Sequence, residues 1–219
     1  MTRKVLILGG LGNGSVIAEA IQDANRRGYQ EWEFCGYLND RIPVGSFIEG
    51  KPVIGKLENI QKMINRDYFI INTIYRIDGQ KKRIGIFENL KIPENKLATF
   101  VHPTVYHATD VKLSPGTVLM PHVSISSRVE IGKASLIMVG ASIGHNTKIG
   151  SYCHFAAQSC ISSYVKIGTG VHIGLNATIR EQVTIGDFAA VGMGSVVLDN
   201  IPSNQVWAGN PARFIRNVI

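Results

Sequence analysis

Three histidines in the second half of the chain stand at informative spacings: His145, His154 nine residues later, and His172 eighteen residues after that. A neutral imidazole, with a reference pKa of about 6.5, accepts a proton near neutral pH, and general-base help of that kind is worth roughly 10² to 10⁴ in rate. His145 lies in Ile143-Gly144-His145-Asn146, where its side chain is expected to face outward. On the residues alone, an inert surface histidine is a commoner reading of such a position than a base. In the first half, Gly9-Gly10-Leu11-Gly12-Asn13-Gly14 follows the apolar run Val5-Leu6-Ile7-Leu8 and precedes a helical stretch. Backbone N–H groups in such a loop, backed by the positive end of a helix, suit a phosphate, with Gly10, Gly12, Asn13 and Gly14 as its contacts. A tight turn with no ligand is the alternative. Asn39-Asp40 closes the next strand, at the edge where ligands of open α/β sheets bind. Asn39 and Asp40 are therefore candidates for holding a ribose or base, or else form an ordinary solvated turn.

The histidines sit in a repeat. From Leu113 to Val197 every sixth residue is apolar, and a small or β-branched residue stands two positions before each, from Val111 to Ser195. Neither a helix nor simple alternation has a beat of six, whereas a triangular parallel β-helix with one side per hexapeptide does. Three hexapeptides make a coil, so residues eighteen apart stack at about 4.8 Å, and five coils form a prism roughly 24 Å tall. Gly132, Gly144, Gly150, Gly168, Gly174, Gly186 and Gly192 each follow an inward aliphatic residue and are expected to turn the corners. His145 and His154, half a coil apart, fall on different sides of the prism. One site containing both would draw them from neighbouring subunits, which a trimer with three clefts allows. His172 stacks on His154, but no third ligand converges on the pair, and no metal is expected.

Residues 1–101 have a different grammar. Strands are expected at Val5–Leu8, Trp32–Leu38, Tyr68–Thr73 and Ala98–Val101, a short segment at Pro52–Ile54, and helices near Ser15–Arg27, Leu57–Asn65 and Gln80–Leu90. This alternation predicts a small parallel sheet with helices on both faces, an α/β nucleotide-binding half-fold. His102-Pro103 marks a hinge into an all-β domain over 102–200, and 201–219 form a C-terminal tail.

The chain has 219 residues, 45% hydrophobic and 18% charged. It has no signal-peptide pattern and no apolar run near the roughly 20 residues that span a bilayer, so a soluble cytoplasmic protein without a membrane partner is expected. Cys35, Cys153 and Cys160 are odd in number and two fall at or beside repeat positions, which fits a reducing compartment rather than a disulfide framework. The net charge of +7 is scattered, with only short clusters such as Lys81-Lys82-Arg83, so nucleic acid is not an expected partner. Small anionic ligands suit the basic excess as well.

The [Ile/Val]-Gly-x4 repeat, the glycine loop and the ending Gly209-Asn210-Pro211-Ala212-Arg213 together resemble the hexapeptide-repeat acyltransferases. Within them, the layout is similar to the family of sialic-acid O-acetyltransferases and nucleotide-linked aminosugar N-acetyltransferases, over nearly the entire chain. The resemblance implies that the β-helix is left-handed and parallel, that the protein is a homotrimer, and that acetyl-CoA is the co-substrate. It implies a Rossmann-like first domain that holds a nucleotide-linked sugar and His145 as the general base. By the same carry-over, His154, Ser163, Leu175 and Met193 border the coenzyme. Two positions depart from the family pattern. Asn146 stands where an acidic residue often follows the catalytic histidine, and Ser163 where a glycine N–H commonly meets the thioester carbonyl.

The expected function is N-acetylation of the 4-amino group of a nucleotide-linked amino-deoxysugar for surface glycan biosynthesis, by direct attack on the thioester. A sialic-acid-type sugar O-acetyltransferase is the alternative, and a non-catalytic nucleotide-binding β-helix protein is the alternative of another class. An NAD-dependent oxidoreductase is disfavoured, because Ser15 stands where the dehydrogenase fingerprint has its third glycine.

Overall fold

In the computed structural model, which describes residues 2–219, the first sheet is built from β1 (Arg3–Leu8), β2 (Trp32–Leu38), β3 (Phe47–Ile48), β4 (Lys51–Gly55) and β5 (Phe69–Asn72). Their order is β3-β4-β2-β1-β5, parallel except for the short antiparallel β3 at the edge. The near-continuous apolar run of β1 is buried on both faces, as a central parallel strand requires. Val5 and Ile7 point to the face covered by α1 (Asn13–Arg26). Leu6 and Leu8 point to the other, under α2 (Ile60–Ile64) and α3 (Gln80–Asn89).

The rest of the chain forms three sheets of two-residue strands, paired in parallel at intervals of eighteen residues. This arrangement fits a left-handed parallel β-helix. Both inward columns are buried except at the first coil, where Val111 and Leu113 are half-exposed, and their aliphatic side chains merge into one core along the axis. The β-helix begins earlier than the sequence suggests: β6 (Phe100–Val101) pairs with Val118–Leu119 and so belongs to the prism, not to the first sheet. It also ends later. Ile201 bridges to Ile185, and the strand Gln205–Gly209 pairs in parallel with Ala190–Val191 before folding back as a hairpin with Ala212–Asn217.

The repeat glycines do not turn the corners. The left-handed backbone falls two residues later, at Asn146, Tyr152, Gln158, Tyr164, Asn176 and their equivalents, all with φ near 60°. The glycines instead lie flat beneath the next coil. A Cβ on Gly150 would stand 2.7 Å from the carbonyl carbon of Gly168, and one on Gly144 would stand 2.6 Å from that of Ser162. Close stacking of coils, rather than backbone freedom, accounts for these glycines.

The two domains share their cores. Phe100, Val118, Met120 and Leu136 on the outer wall of the prism pack with the α1 side of the first sheet, while Ala134 and Tyr152 pack with the other side. His102 is a tie rather than a free hinge: it is 1% exposed, with its Nε2 3.1 Å from Asp23 of α1. Among the described residues no helix is long and apolar enough to cross a membrane.

Candidate active site

One outward column of the β-helix reads Val118, Leu136, His154, His172, Ala190. Its first two members are buried under the first domain. Its two histidines emerge where that cover ends, on the wall of an apolar cleft of about 420 Å³. Asn13 and Ile77 from the first domain close one side of this cleft, and Leu175 and Met193, 47% and 74% exposed, rim the other. Of the four residues assigned to the coenzyme, the fold therefore gathers His154, Leu175 and Met193. Ser163 does not join them, because it stands one coil above His145 on another side of the prism. The N–H groups of Ser163, Leu175 and Met193 have no acceptor among the described residues, so three corner donors stay open to a ligand.

Burial governs the paired histidines. Desolvation, with the neighbouring His172 adding to it, pushes the pKa of His154 down to about 3, and desolvation pushes that of His172 down to about 4. His102 is likewise lowered, because burial outweighs its contact with Asp23. His154 and His172 are thus kept neutral in the fold down to about pH 4, whereas the unfolded chain charges them below about pH 6.5. The unfolded state then binds more protons, so stability is expected to fall as pH drops from about 6.5 towards 4, by up to about 1.4 kcal/mol per pH unit for each group. Chemical denaturation at about pH 7.5 and pH 5 checks this: the midpoint should be lower at pH 5, and an unchanged midpoint contradicts neutral buried imidazoles.

His145 stands at the corner of the prism that follows Ser142–Ile143, away from the face that carries His154. Its Nδ1 lies 2.9 Å from Asn146 Oδ1, and Arg128 Nε lies 3.2 Å from that same oxygen. A guanidinium only donates, so Arg128 holds the amide with its oxygen towards the ring. Nδ1 must then carry the proton, which leaves Nε2 with a lone pair. Tyr164 packs edge-on against the ring with centroids 5.1 Å apart. Within one chain, His145 and the His154 cleft are not brought together.

A second cleft, of about 580 Å³, opens at the carboxyl edge of the first sheet. Gly10, Asn39 and Asp40 line it, while Gly12, Asn13 and Gly14 do not. Gly14 instead packs closely under the sheet, where a Cβ would be 3.3 Å from Thr73 Oγ1, and Gly12 caps α1 with φ 81°. Asn39 is occupied structurally: its Nδ2 donates to Gly9 O, and its Oδ1 accepts from the N–H groups of Arg41 and Ile42. One oxygen of Asp40 accepts from Leu57 N–H and so ties the following turn. Sequence reading missed Arg41, Arg76 and Arg83, which also line this cleft and form no ion pair among the described residues. It also passed over His172 as anything but a metal ligand. Among the described residues, no group of three His, Cys, Asp or Glu side chains is placed to hold a metal ion.

The chain superposes over 98% of its length on the whole acetyltransferase domain of PglB from Neisseria gonorrhoeae FA1090, at 25% identity and a TM-score of 0.84. That domain has also been solved in complex with acetyl coenzyme A. The chain has the hexapeptide-repeat acyltransferase fold. Perosamine N-acetyltransferase from Caulobacter crescentus, solved with CoA and GDP-perosamine, shares this acyltransferase fold at 23% identity, with 98% of this chain and 97% of that one covered and a TM-score of 0.83. WeeI from Acinetobacter baumannii AYE shares it at 22% identity, over 98% and 100% of the two chains, with a TM-score of 0.79. No family model and no curated protein matches the sequence.

Proposed function

We propose that this chain is a sugar acetyltransferase that moves the acetyl group of acetyl-CoA to the 4-amino group of a nucleotide-linked amino-deoxysugar, as a cytoplasmic homotrimer serving surface glycan biosynthesis. The observation that carries this reading is the open apolar cleft at His154, Leu175 and Met193, in a chain that matches an acetyl-CoA-bound acetyltransferase domain from end to end. The cleft takes the acyl-pantetheine arm, whose thioester and amide carbonyls need donors on otherwise apolar walls. The Rossmann-like first domain, which ends before β6, takes the nucleotide in its carboxyl-edge cleft. There the backbone at Gly10, the free oxygen of Asp40 and the arginines at 41, 76 and 83 suit a ribose and its diphosphate.

Chemistry then needs a base where the amine meets the thioester. His145 of one subunit, facing the cleft of the next, takes the amine proton on Nε2 as nitrogen attacks the acetyl carbon. The carbonyl electrons move onto oxygen, which a corner N–H such as that of Ser163 stabilises. Collapse of the intermediate expels the coenzyme thiolate, which takes up a proton and leaves the amide. No covalent enzyme intermediate is involved, and the thiol of Cys153 is no candidate for one: it is fully buried, with its pKa pushed up to about 12.

The testing experiment is thiol release from acetyl-CoA against UDP-, GDP- and dTDP-linked 4-aminosugars, with sialic acid as the hydroxyl acceptor. Turnover with one of the aminosugars supports the proposal. Turnover with sialic acid alone moves the assignment to O-acetylation, and binding of nucleotide without any turnover moves it to a non-catalytic β-helix protein.

A further inference from the structure

We propose that His172, rather than His154, presents the side-chain hydrogen-bond donor of the cleft, and that Asn13 and His154 fix it in that state as positioning residues. The inference rests on the coenzyme reading of the cleft and concerns which proton that cleft offers.

Protons can be counted along three side chains. Asn13 Nδ2 lies 3.2 Å from His154 Nε2, and an amide nitrogen only donates, so Nε2 must accept. Burial keeps the ring neutral, with one proton, which therefore sits on Nδ1. His154 Nδ1 lies 3.0 Å from His172 Nδ1, so it donates and the second ring accepts. The single proton of His172 is then on Nε2. The register pairing His154 with His172 holds the two rings parallel within 10°, with centroids 4.9 Å apart, so the relay is built into the ladder.

Both nitrogens of His154 are consumed by this relay, and it has nothing left to offer a ligand. His172 Nε2–H has no partner among the described residues, and its ring lines the cleft. A thioester or pantetheine amide carbonyl supplies the acceptor that an unpaired N–H in an apolar wall requires. Asn13 belongs to the glycine loop and opens α1, so the donor in the coenzyme cleft depends on a residue from the domain that faces the sugar nucleotide.

Two measurements on the full-length protein test this. In ¹⁵N-histidine-labelled protein without ligand at about pH 7.5, the ring nitrogens report the tautomers directly. His154 is expected as Nδ1–H and His172 as Nε2–H, with the His172 signals identified by their loss in His172→Phe. The reverse pair would mean that the Asn13 amide accepts and that His172 offers a lone pair, which overturns the proposal. In acetyl-CoA titrations, His172→Phe is expected to weaken binding by about 5- to 20-fold, while His172→Gln, which keeps an N–H donor, recovers most of the loss. Unchanged affinity in His172→Phe, or equal losses in both variants, would also overturn it. Failure of the unaltered protein to bind acetyl-CoA would instead defeat the coenzyme reading, with the tautomers still deciding the relay.

Discussion

His145→Ala is expected to lower turnover by about 10² to 10⁴ while leaving acetyl-CoA affinity almost unchanged, because the imidazole acts on the acceptor's proton and not on the coenzyme. Arg128 and Asn146 hold the proton on Nδ1 and leave Nε2 with a lone pair, the state that the proposed role needs. They do so with an amide, which orients the ring but supplies no negative charge to stabilise the imidazolium formed during attack. Asn146→Asp adds that charge at a left-handed backbone position, φ 60°, which Asp tolerates about as well as Asn. The acidic limb of its rate profile is accordingly expected to move upward in pH. Near-normal turnover in His145→Ala, at saturating coenzyme with an accepted sugar, would remove His145 as the base.

What the sequence made legible follows the physics of each signal. The inward columns, the three-sided coil and the stacking of His154 on His172 come from a period that only one packing satisfies, and they appear in the fold as expected. The glycines after each aliphatic were visible as a pattern, but not their cause. The distance from Gly150 to the coil above is tertiary, and the left-handed corner falls on residues as unlike as Asn146, Tyr152 and Phe188, which carry no common sequence mark. Asn39 shows the same limit. Its position at a strand end suggested a ligand, yet its amide is spent on Gly9 and on its own turn, a commitment visible only once β1 and β2 lie side by side. The link from Asn13 to His154 spans 141 residues, and no local pattern announces it. The cores shared between the first sheet and the prism were equally hidden. They make a β-helix cut away near residue 100 a poor reporter of coenzyme binding, since Phe100, Val118 and Leu136 would lose their cover.

The central claim is that one active site takes His145 from one subunit and the coenzyme cleft from the next, since a single chain carries them on different sides of the prism. Mixing two inactive variants tests it most directly. His145→Ala keeps the cleft and lacks the base, whereas Ala157→Trp fills the cleft beside His154 and keeps the base. Each variant alone should be nearly inactive, the second with coenzyme binding lost. After co-expression in equal amounts, random assembly gives a site both an intact His145 and an open cleft about one time in four, so about a quarter of the unaltered turnover is expected to return. Activity in the mixture no greater than the sum of the two parents would contradict the shared site and place base and coenzyme within one chain.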